Sequence, residues 1–195
     1  MSNLKDKTSA VLPAGKFFKS VGRASIKPVS GLAEEAGYYN RIENAAILAG
    51  IVAVILAILG TTVSSVVSST YVNIDFPNVM KWFLIDLCEY ALYTFGMAGA
   101  YFVAGRLTGK NPNYPILLAI SSLAIAGGFF VRDVIGPLAV NLNYKLGIGI
   151  EYAGLIYAVL ALYEGVNAVM DFKENRRIYV HIAVIGLVLI IGTLL

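Results

Sequence analysis

KWFLIDLCEYALYTFGMAGAYFVAG, residues 81–105, is the stretch whose reading decides the fold. A helix of its 25 residues is long enough to cross a hydrocarbon core of ~30 Å. It also carries Asp86 and Glu89, two acids one helical turn apart. Ionisable groups at such depth are costly, and by default they are functional candidates. Trp82 beside Lys81 reads as an interfacial anchor. Gly96, Ala100 and Ala104 form a stripe of small residues against which another helix can pack closely.

The rest of the chain has the same solvent preference. Of its 195 residues, 58% are hydrophobic and 14% charged, with a mean hydropathy of +0.74. Soluble domains are typically ~45–50% apolar and ~25% charged. Apolar runs recur on both sides of residues 81–105. They predict an all-α integral membrane protein, a five-transmembrane-helix bundle with spans at about 45–67, 82–104, 114–131, 146–170 and 178–195. Gly136-Pro137 and residues 141–145 read as a turn-rich connection between the third and fourth spans.

Residues 1–44 form a polar, basic arm with none of the order of a secretory signal. Within it Lys16, Phe17, Phe18, Lys19 and Arg23 alternate apolar and cationic groups. Phe17, Phe18 and Val21 can share one helical face, which suits a short amphipathic helix at headgroup level with its cations toward anionic lipid. Glu34 and Glu35 suit the start of a second short helix. Membrane lipids are thus the first expected partners. Other membrane subunits or further copies of the chain are the second, and no nucleic acid is expected.

Orientation follows from Lys and Arg. With five spans, twelve fall on the side of the arm and three (Lys81, Arg132 and Lys145) on the other. The bias predicts a cytoplasmic N-terminus and an extracytoplasmic C-terminus. It also gathers Asp86, Glu89, Arg132, Asp133 and Glu151 into one outer layer, where Arg132 offsets part of the cost of burying an acid. Glu164 lies deeper, toward the cytoplasmic side, and His181 at the same level is its expected partner. This topology makes the helix at 81–105 a packing hub with one polar end.

Residue supply argues against catalysis. His181 is the only histidine and Cys88 the only cysteine, so neither a bis-histidine haem nor a multi-cysteine metal site can form within one chain. No Gly-rich phosphate loop and no Gly-x-Ser-x-Gly are present. No cofactor or catalytic residue is expected.

NYPILLAISS (113–122) and ALYEGVNAV (161–169), the latter followed by a short basic loop and a last apolar span, are similar to the third span and the fourth-to-fifth hairpin of the Yip family. These are five-span proteins that interact with Rab/Ypt-type GTPases, together with their prokaryotic relatives. The resemblance implies a non-enzymatic role in membrane organisation, trafficking or scaffolding. The Asp-Leu-Tyr-Gly-Pro segment of eukaryotic members has no counterpart in the arm, which argues against GTPase binding. The mostly Ala/Val/Ile/Leu spans without eukaryotic sorting signals make a prokaryotic-type member in a plasma membrane the expectation. The residues also leave open a small transporter or ion-conducting subunit using the outer acids, and an accessory subunit of a larger membrane complex.

Overall fold

The computed structural model describes residues 14–26, 32–69 and 75–194, and within them it contains helices and no strand. In chain order they are α1 (Ala14–Ile26), α2 (Leu32–Ala36), α3 (Ile42–Ser69), α4 (Phe76–Leu107), α5 (Tyr114–Phe130), α6 (Gly136–Leu142), α7 (Tyr144–Met170) and α8 (Glu174–Leu194). A 3₁₀ turn, Gly37–Tyr39, follows α2.

The helix ends follow from local chemistry. Asp75 caps α4, its carboxylate accepting the Asn78 N–H at 3.1 Å, with Pro77 at a position that needs no donor. At the other end Gly109, at φ +74°, turns the chain into the left-handed region, where a Cβ is disfavoured. Asn113 and Asn143 cap α5 and α7.

Between α5 and α6 the helix does not stop. Pro137 has no N–H for the Asp133 carbonyl four residues back, and the ladder widens into a π turn, Val131–Ile135. The Gly136 N–H there reaches the Val131 carbonyl. Residues 131–142, expected as the end of a span and a turn-rich connection, are therefore mostly helix. The Gly-Pro pair widens the helix here and does not end it.

Among the described residues three helical segments are long and apolar enough to cross a membrane: Ile42–Ser68, Tyr114–Leu142 and Tyr144–Met170. α4 is longer, at 32 residues, but more polar through Lys81, Asp86, Glu89 and its tyrosines.

The centre of the bundle is α5, which corrects the expectation that the helix at 81–105 is the hub. Every residue from Leu117 to Phe129 is buried, and α1, α2, α3, α4 and α7 all pack on it. The reason lies in its composition. Between Tyr114 and Phe130 there is no charge, so each face of the helix can be buried. The closest approach is to α7. A Cβ on Gly128 would lie 2.6 Å from the Gly154 carbonyl oxygen, and one on Gly154 would lie 2.5 Å from that of Gly128. α8 is peripheral, resting mainly on α4.

Candidate functional site

Two clusters of polar side chains join elements inside the bundle, and a third fixes the N-terminal helix. The first lies where α3, α4 and the π turn meet. Thr61 of α3 donates to Asp86 Oδ2 at 2.8 Å, and Tyr90 of α4 donates to Asp133 Oδ2 at 3.0 Å. Arg132 Nε stands 3.2 Å from Asp133 Oδ1, and its Nη1 stands 3.6 Å from Glu89 Oε1. The guanidinium also lies 5.0 Å from the Phe129 ring centre, a cation–π distance. Gly60 makes room for the group, since a Cβ there would lie 3.0 Å from the Tyr90 hydroxyl. Two carboxyl groups, Glu89 and Asp133, thus pair with one guanidinium, and a third, Asp86, is held by Thr61.

Four of the five residues expected in the outer layer are brought together: Asp86, Glu89, Arg132 and Asp133. Glu151 stands apart on α7 with its Cγ over Gly136, and the ion pairs and hydrogen bonds of the cluster among the described residues do not include it. The turn at Pro137 explains this split. It carries the chain on as α6, and Glu151 of α7 meets the start of that continuation at Gly136, while the part of α7 at Gly154 packs on the π turn against Arg132.

The second place is His181, 3% exposed at the junction of α4, α7 and α8. Its Nδ1 meets the Tyr101 hydroxyl, and its Nε2 lies 3.3 Å from Asn167 Oδ1. The tautomer with its proton on Nε2 satisfies both bonds, with Tyr101 donating and Asn167 accepting. The Tyr163 ring centre is 4.6 Å from the imidazole and that of Tyr101 5.1 Å. The expected pair with Glu164 is not formed, because Glu164 is on the exposed face of α7. Depth along a span gives the level of a residue but not its angle around the helix, and Asn167, one turn on, has the right angle.

The third cluster holds α1. Glu35 accepts from Ser20 at 2.8 Å and from Arg23 at 2.9 Å, with Lys16 Nζ at 3.9 Å. Burial pushes the Glu35 carboxyl up, but the hydrogen bonds from Arg23 and Ser20 and the charge of Lys16 outweigh it, holding the group below the ordinary carboxylate value. Lys16 also sits 3.6 Å above the Tyr38 ring.

These contacts change the reading of α1. Phe17, expected at the lipid surface beside Phe18, is 2% exposed and lies against Tyr39, with ring centres 5.7 Å apart. Ser20 is buried on the same side. Lys16 and Arg23 turn toward Glu35, while Phe18 and Lys19 remain outward. The alternation of Phe and Lys did not reveal which aromatic faces protein, because the acceptor Glu35 lies twelve residues beyond Arg23.

Sequence reasoning gave no role to Tyr90, Tyr101, Asn167 and Ser20, took Thr61 only as a small packing residue, and read Glu35 only as a helix-start charge. One signal was present. Lys16, Ser20 and Arg23 repeat at four and three residues, a stripe of donors on one helical face that calls for an acceptor. Comparisons with known protein families, with curated proteins and with solved structures give no match for this chain.

Proposed function

We propose that the chain is a non-enzymatic, five-span membrane protein of Yip-like type that organises or scaffolds the membrane in which it sits. Its N-terminus is cytoplasmic, its C-terminus is extracytoplasmic, and α4 and α8 complete the set of spans. A prokaryotic plasma membrane is the expected setting.

The observation that supports this reading is how the intramembrane charges are used. Arg132 answers Glu89 and Asp133, Thr61 answers Asp86, and Tyr90 answers Asp133. Each contact but the Arg132–Asp133 pair joins two different elements, so the cluster works as a clasp between helices. α1, folded onto one side of the bundle, adds the asymmetry that a membrane-organising protein needs.

Reconstitution tests this directly. Vesicles carrying the protein at increasing density should differ in diameter and curvature from protein-free vesicles, and should keep one orientation of single cysteines placed at Lys19 and Asn143. Vesicles of unchanged size at every density would sink the organising role.

A second reading, a small cation or proton carrier, is favoured by one feature. Two carboxyl groups share one guanidinium beside a π turn, with a third, Asp86, on the same helix as Glu89, and such turns recur at functional sites. Ion flux separates the two readings.

A further inference from the structure

We propose that the groove between α1 and α3 binds one anionic phospholipid, with an acyl chain lying in the groove and the phosphate held by Lys19 and Arg23. The inference rests on the reading above only in placing the bundle in a bilayer.

The groove encloses about 310 Å³, which falls at the lower end of the range for small-molecule pockets. Its walls include Phe18, Val21 and Gly22 of α1, Val52 and Leu59 of α3 and Phe130 of α5. All of the lining residues are apolar, so a polar occupant would lose its hydrogen bonds to water and gain none. A hydrocarbon chain has nothing to lose there. From Val52 to Leu59 the wall runs about 10 Å along α3, a track for an extended chain. Gly22 is part of this wall and a Cβ there would meet nothing within 4 Å, so a larger side chain has room beside the groove.

The charge lies at the edge of this wall. Lys19 and Arg23 are four residues apart on α1 and so are neighbours on its surface, and they flank Gly22 in the helix. Lys19 has no ion-pair partner among the described residues. Arg23 gives one nitrogen to Glu35, yet its side chain stays 54% exposed, leaving further N–H groups for a phosphate. The inward contacts of Phe17 and Ser20 hold α1 in place, so the groove exists before the lipid arrives. A phosphatidylcholine headgroup brings its own cation to this basic edge and is the poorer fit.

The test uses the full chain in vesicles of equal phosphatidylglycerol and phosphatidylcholine. The protein is extracted in mild detergent, and retained phospholipid is quantified by mass spectrometry. With the Arg23 charge offset by Glu35, one net cation near the headgroup should enrich phosphatidylglycerol about fivefold over phosphatidylcholine. Lys19→Gln, which removes that one charge, should bring the ratio to about one. Gly22→Leu, whose side chain enters open space and leaves the fold intact, should remove the retained lipid whatever its headgroup. Equal retention of both lipids by the wild type would overturn the proposal, as would a Gly22→Leu variant that still keeps phosphatidylglycerol. Failure of the chain to enter vesicles is a different result, and would overturn the membrane reading itself.

Discussion

Replacing Arg132 by Met removes the only cation of the cluster at the π turn while keeping much of the side-chain volume over Phe129. Glu89 and Asp133 then face each other and Asp86 without a counter-charge. Breaking a fully buried ion pair costs about 3–5 kcal/mol. Here Arg132 and Glu89 are about one-third exposed (31% and 33%) and Asp133 22%, so solvent screens part of the interaction. We expect about 2 kcal/mol after that discount. For a chain of this size the loss lowers the unfolding temperature by about 4–8 °C. The assay is thermal unfolding in mild detergent, followed by the reactivity of residues that become exposed. Asp133→Asn closes a double-mutant cycle. If the clasp is real, the second substitution costs at least about 1 kcal/mol less in the Arg132→Met background than in the wild type. Additive effects, or an Arg132→Met variant as stable as the wild type, would refute the ion-pair reasoning.

Three further outcomes follow from the same contacts. Gly128→Ala drives a Cβ into the Gly154 carbonyl and should cost about 1–3 kcal/mol. Gly149→Ala, on an open face of α7, should instead gain up to about 1 kcal/mol from helix propensity, and thermal melts read both signs. Tyr101→Phe leaves His181 Nδ1 unsatisfied and should cost about 1–3 kcal/mol, whereas Glu164→Gln should stay within about 0.5 kcal/mol of the wild type. Equal losses in the two would restore Glu164 as the partner of His181. Glu35 has a folded-state pKa below its ordinary 4.5, so the unfolded chain binds more protons in that range and the contribution of Glu35 is full above it. That contribution is lost as pH falls through the lower folded value. Glu35→Gln should therefore melt a few degrees below the wild type near neutral pH, and the gap should close progressively as the pH is taken below 4.5. A gap that persists in acid would contradict the Glu35 clasp.

Legibility in the sequence divides along physical lines. The apolar runs were plain because crossing a bilayer demands length and hydrophobicity together, and α3, α5 with its continuation, and α7 follow from that demand. The partners of Arg132 were partly legible too, since the expected five-span topology puts Glu89 and Asp133 at its level. Angles around helices were not legible. They put Asn167 rather than Glu164 against His181, and Phe17 rather than Phe18 into the core. The hub was misplaced for a related reason. Residues 81–105 drew attention by their charges, but a helix that is surrounded must lack them, as α5 does. Pro137 was read as a stop when its missing donor only widens the helix, and that turn brings Arg132 and Asp133 to the cluster.

The central claim is that the charges within the bundle hold helices together and carry nothing across it. The most direct measurement is proton and cation flux in sealed proteoliposomes under an imposed gradient, comparing the wild type with an Asp86→Asn, Glu89→Gln double variant. Our account predicts flux in both at the level of protein-free vesicles, with the double variant differing only in its lower unfolding temperature. Flux through the wild type that the double variant abolishes would contradict it and make the cluster a transport site.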